Sequence, residues 1–216
     1  MKNSLLLALL GLFILSACQN NEKDEAEKDD DTVTLVEETE VDELPNYSDL
    51  DMDEAIEAFS DGDNTTAANY IRAAVLNIKE EGKVLSGNEK VLLDKSIANL
   101  NSLAEKVEKG EVTDIKVLDK VFANAEMNVA HAYLAFTSVY AIETPEKAKT
   151  TLQNAITRME NATAKLKGEA KMEADKLIAE SKILLKKEEM KAKNWNAATR
   201  QQINALSAWL EKNVVK

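Results

Sequence analysis

The chain has 216 residues, with 39 acids against 27 Lys and Arg, one histidine and one cysteine. One cysteine excludes an internal disulfide framework and any zinc site built on two thiolates, and one histidine excludes every two-histidine metal motif. Six glycines and two prolines are too few for a β-sandwich or barrel, which needs a turn signal about every 8–12 residues.

Lys2 and the apolar run Leu5–Leu15 form a positive start and a short hydrophobic core. The run is too short for a membrane-spanning helix, which takes about 20 residues, and it suits the core of a secretory signal. It ends in Leu15-Ser16-Ala17-Cys18, which resembles the lipobox of bacterial lipoproteins. The resemblance implies a signal peptide over residues 1–17, cleavage before Cys18, and lipidation of Cys18. Several acyl chains, at about 0.8 kcal/mol per buried methylene, would anchor the protein to a membrane without a spanning helix.

Residues 18–47 read as the lipidated cysteine followed by an acidic tether. Twelve acids against two bases give residues 19–47 a net charge of −10. With Lys2 at +1 and the whole chain at −12, residues 48–216 carry −3. A stretch this acidic and polar is expected to stay disordered, with a reach of about 30 Å. The acids from Glu22 onward loosely resemble the surface-export signal of Bacteroidota lipoproteins. Gln19 after the cysteine resembles lipoproteins sent on to an outer membrane. Thr32–Val36 is a short β-prone patch that either docks on the body or does nothing. Neither part has the basic excess of a nucleic-acid binder.

From residue 48 the apolar spacing is helical. Ser48 and Asp51 resemble a capping box for a first helix carrying Met52, Ala55, Ile56 and Phe59. A second helix is expected over about 64–86, with the stripe Ala67, Ile71, Ala74, Val75, Ile78, Gly82 and Leu85. Gly87 is its expected C-cap and Asn88 the next N-cap. The third carries Leu93, Ile97, Leu100, Leu103, Ala104 and Val107, and Gly110 ends it. The fourth, about 113–143 with Thr113 as its cap, is the longest. Leu118, Val121, Phe122, Ala125, Val129, Ala132, Phe136 and Val139 form its main face. Met127, Ala130 and Leu134 widen that face, the pattern of a centrally buried helix. Thr144 and Pro145 stop it and start the fifth, striped by Ala148, Leu152, Ala155, Ile156, Met159, Ala162 and Leu166 and ended by Gly168. A sixth carries Met172, Leu177, Ile178, Leu184, Leu185 and Met190. A seventh, capped by Asn194, carries Trp195, Ile203, Leu206, Trp209, Leu210 and Val214. Connections after residue 87 are expected to be one to four residues long. The predicted fold is therefore all-α, an up-and-down antiparallel bundle of about seven helices forming one domain over 48–216.

At an offset of 81, residues 64–110 match 145–191 without a gap at eleven positions, including Ala67/Ala148, Ala74/Ala155, Gly87/Gly168, Ile97/Ile178 and Leu103/Leu184. A chain rich in Ala, Lys and Leu also matches itself by composition. The paired glycine and the gap-free register favour an internal duplication, with related units about 48–128 and 129–216 meeting on the fourth helix.

Catalytic signals are absent. Neither a phosphate loop, G-x-S-x-G nor H-E-x-x-H occurs. His131 and Met127 share a helix side, but a packed histidine is the better reading than a haem ligand. Asp49-Leu50-Asp51-Met52-Asp53 and Asp61-Gly62-Asp63 lack the glycine and closing glutamate of a calcium loop and read as acids at helix starts. Trp195 and Trp209, fourteen residues apart, are expected in the core. Asn161-Ala162-Thr163 matches a glycosylation sequon that a bacterial lipoprotein gives no reason to use. The expectation is a lipid-anchored cell-envelope protein, not an enzyme, with no metal, catalytic residue or cofactor, that binds or scaffolds. Its partners would be a membrane through Cys18 and a protein or small apolar ligand, with oligomeric state open. The alternative is a carrier with an apolar cavity between the two units near the fourth helix, lined by Phe122, Phe136 and Trp209.

Overall fold

A computed structural model describes residues 47–187 and 192–214. Cys18, the signal and tether, the 32–36 patch and Met190 lie outside the described residues. Among those described, the chain forms seven helices and no strand: α1 (Tyr47–Ser60), α2 (Asn64–Glu81), α3 (Gly87–Glu108), α4 (Ile115–Glu143), α5 (Pro145–Ala164), α6 (Glu169–Leu185) and α7 (Ala192–Asn213). The all-α bundle read from the apolar spacing is the observed fold.

Each helix packs on the next, and α1 and α7 also pack on α4. The antiparallel order shows in side-chain pairs. Ser48 at the start of α1 bonds Glu81 at the end of α2, and Arg72 in α2 meets Glu108 at the end of α3 at 2.5 Å. With α1, α3, α5 and α7 around it, α4 is surrounded by helices. Phe122 through Ala130, nine consecutive residues, are all buried, so α4 has no solvent face in its middle, as its wide apolar surface predicts.

The stripes are buried as expected, with one clear exception. Met172 on α6 is 69% exposed, while Ala174, Ile178, Ser181 and Leu184 face inward. Those small and aliphatic residues give α6 a complete inner face without the methionine.

Helix ends depart from expectation more than helix faces do. The second helix stops at Glu81, not 86. A Cβ on Gly82 would lie 2.0 Å from Leu93 Cδ2, so the bare backbone at Gly82 is what lets α3 approach. Leu85 stays buried from the loop, its N–H bonding Gly82 O at 3.1 Å, which is why the stripe outruns the helix. Gly87, at φ +64°, is the first residue of α3 and not a C-cap, and Ser86, not Asn88, occupies the N-cap position. Gly110 does end α3. It has φ +69°, its N–H bonds Val107 O, and the Glu111 N–H bonds Lys106 O, the paired closure of a Schellman motif.

The α3–α4 connection, residues 109–114, is longer than the expected one to four. Asp114, not Thr113, caps α4, accepting from the Lys116 N–H at 3.0 Å. Thr144 precedes Pro145 as expected but makes no side-chain cap bond. The fifth helix ends at Ala164, before Gly168, which sits at φ +73° as the N-cap of α6. Asn194 lies inside α7, which begins at Ala192, so it is not the N-cap.

Pairs at the 81-residue offset share environments: Ala67 and Ala148, Ala74 and Ala155, Ile97 and Ile178, and Leu103 and Leu184 are buried. Gly87 and Gly168 both have positive φ.

Candidate functional site

Arg158, on the inner stripe of α5, has no exposed surface. Its guanidinium meets a carboxylate from each of three helices. Nη2 donates to both oxygens of Glu81 on α2, at 2.7 and 2.8 Å. Nη1 donates to Asp49 Oδ1 on α1 and to Glu126 Oε2 on α4, the latter at 3.2 Å. Ser48 Oγ and Tyr133 Oη donate to Glu81 at 3.0 and 3.4 Å, and Asn161 Nδ2 donates to Asp49 Oδ2 at 2.6 Å. The cluster therefore ties α1, α2, α4 and α5 together.

One cation cannot offset three buried anions, and the pKa values reflect this. Burial pushes Glu81 up to about 7, although hydrogen bonds from Ser48 and Tyr133 pull it down. Burial pushes Glu126 up to about 8; Lys165 opposes that shift, while Glu81 and Asp53 add to it. Burial lowers Arg158 to about 9, so it stays cationic at neutral pH. Glu81 receives four donated bonds and Glu126 one, so Glu126 is the better site for a retained proton.

Chemistry on a substrate needs access, and this cluster has little. The cavity beside it, lined by Glu81, Leu85, Leu93, Val129, Ala132, Tyr133 and Phe136, has a volume of about 10 Å³, at the lower limit for one water. Larger spaces open on the surface around the first half of α4. A cleft of about 590 Å³ between α3 and α4 is lined by Lys95, Ser96, Asn99, Lys116, Val117, Lys120, Val121 and Asn124. A second, of about 400 Å³, shares Lys116, Lys120 and Asn124 with it and reaches Lys165, Lys167 and Asn213. A third, of about 360 Å³, lies between α5 and α6.

The residues singled out in the sequence have separate fates. Asp49 is no simple helix-start acid but a partner of Arg158. Ser48 does not cap α1, because its hydroxyl is spent on Glu81. Asp51 accepts from Asn77 Nδ2 at 2.7 Å, and burial raises its pKa. Asp63 is a true N-cap, bonding the Thr66 N–H at 3.0 Å and the Thr66 hydroxyl at 2.7 Å, bonds that lower its pKa. His131 is half-buried and its Nδ1 has no hydrogen-bond partner, while Met127 is buried. Trp195 and Trp209 are in the core, as expected, with unpartnered indole N–H groups. Among the described residues, no three His, Cys, Asp or Glu are placed to hold a metal ion. No described helix is long and apolar enough to cross a membrane.

Sequence reasoning missed Glu81, Glu126 and Arg158. The signal was present, because each is a charged residue on a helix face that is otherwise apolar. No protein-family model, curated protein or solved structure matches the chain.

Proposed function

We propose that this protein is a lipid-anchored, non-enzymatic binding or scaffold protein of the bacterial cell envelope, held by acyl chains on Cys18. The anchor rests on Leu15-Ser16-Ala17-Cys18, together with the outer-membrane or surface destination that Gln19 and the acids after it suggest. One structural observation supports a binding role for the body: its convergent polar groups are enclosed around Arg158, whereas its large cavities are open clefts at the surface. A carrier of apolar ligands between the two related units draws less support, because the cavity beside Phe136 is only about 10 Å³. Shared burial at the 81-residue offset supports reading the body as a duplicated helix pair.

Cell fractionation tests the anchor. Cys18→Ser should move the protein from the membrane to the soluble fraction, and a variant that still sediments with membranes refutes lipid anchoring. Affinity capture from intact cells with the mature chain as bait tests the binding role separately.

A further inference from the structure

We propose that the cleft between α3 and α4 binds a small ligand that joins an anionic group, carboxylate or phosphate, to an apolar body. This rests on the binding-protein reading of the helical body and is independent of the anchor. The cleft's volume of about 590 Å³ falls within the range of small-molecule sites, about 300–1,000 Å³. Lys95, Lys116 and Lys120 line it, no acid does, and none of the three has an ion-pair partner among the described residues. The cleft between α5 and α6 is different, because its lysines are already answered. Lys182 pairs with Glu160 at 2.5 Å and Lys171 with Asp175 at 3.2 Å.

The α3/α4 cations are also costly where they stand. Lys116 and Lys120 are four residues apart on α4, a like-charge spacing that destabilises a helix. Lys116 is in the first turn, where the helix dipole disfavours a cation. Two acids lie near them in sequence: Asp114, whose carboxylate is held on the Lys116 N–H, and Asp119, which lines the adjoining cleft. The body as a whole has more acids than bases, yet three lysines and no acid line this cleft. A bound anion would relieve both the like-charge spacing and the dipole mismatch.

The apolar half of the ligand is called for by Val117, 42% exposed, and Val121, which share the cleft with the lysines. Asn99, exposed at the cleft, adds an amide group to orient it. Across the ridge of Lys116 and Lys120, the adjoining cleft adds Lys165 and Lys167, with Asp119 as its acid.

Isothermal titration calorimetry on the full chain carrying Cys18→Ser tests this, with 1-naphthyl phosphate and 1-naphthoate as probes. Saturable one-site binding of either is expected. Lys116→Gln with Lys120→Gln should weaken it at least tenfold. Lys186→Gln with Lys187→Gln, an equal charge loss on exposed lysines just past α6, should stay within twofold. Unchanged circular dichroism confirms that both variants are folded. Inorganic phosphate should bind at least tenfold more weakly than naphthyl phosphate, and equal affinity would mean a free-anion site and overturn the apolar half. Equal binding of neutral 1-naphthol would overturn the anionic half. Absence of saturable binding, or equal weakening by the two double variants, overturns the whole proposal, while the anchor and capture experiments stand or fall separately.

Discussion

Arg158 is a fully buried cation facing three carboxylates, and full ionisation would leave the cluster at −2. In the unfolded chain Glu81 and Glu126 titrate near 4.5; in the fold they titrate near 7 and 8. Between those values the folded protein holds protons that the unfolded chain has released, so stability falls as pH rises. The decline starts above about pH 4.5 and is complete above about pH 8. Urea midpoints measured from pH 5 to 8.5 should fall, and Glu126→Gln should flatten the fall. A midpoint that holds steady or rises would mean that both glutamates are ionised in the fold. Arg158→Met should cost about 3–5 kcal/mol at pH 8, where charged carboxylates lose their partner, and less at pH 5, where they take up protons. The sequence carried part of this site. Arg158 falls three residues after Ala155 and four before Ala162, inside a buried stripe, and Glu126 sits between Ala125 and Met127. Charge in such company signals a partnered ion. Asp49 gave no such signal, because an acid in a first turn already has a purpose in meeting the helix dipole.

At the scale of elements, helix faces were readable and helix ends only in part: Gly110 and Thr144-Pro145 mark true boundaries, whereas the end of α2 and the caps of α3, α4 and α7 were misplaced. A stripe records burial, and burial continues into loops, so Leu85 extended the apparent second helix past its true end at Glu81. Only the approach of α3 explains why the chain turns at Gly82. Gly82 has φ −91°, which any residue adopts, so an added methyl meets a packing problem without backbone strain. Leu93 is buried and cannot swing away freely. Gly82→Ala should therefore cost about 1–3 kcal/mol by overpacking. Leu93→Ala alone should cost about 2–5 kcal/mol, and in the double variant the new methyl enters the vacated space. Chemical denaturation of the four proteins checks this: the double variant should be more stable than the sum of the single effects allows. Strict additivity would show that α2 and α3 do not press together at this point.

At the scale of the whole body, α4 packs with α1, α3, α5 and α7. Phe122 and Phe136 are fully buried on it, so truncating either to alanine should cost about 3–5 kcal/mol out of a domain's typical 5–15. Both variants should melt in one transition at a lower temperature. A calorimetric trace with two separated transitions would show that the halves around α4 unfold independently, and a cost under about 1 kcal/mol would contradict the burial of those rings. The Arg158 cluster has a further consequence for how the helices align. Their facing stripes are rich in alanine, including Ala67, Ala74, Ala148, Ala155 and Ala162, and such smooth surfaces pack nearly as well after sliding by one turn, about 5.4 Å. A slide of that size would carry Asp49, Glu81 or Glu126 away from the guanidinium and strand a buried charge. The four residues thus act as a register pin, fixing one alignment among several that apolar packing alone would tolerate. Replacing all four with leucine or methionine should preserve helix content but multiply the backbone amide signals seen by nuclear magnetic resonance. A single sharp set would show that the alanine faces choose their own alignment.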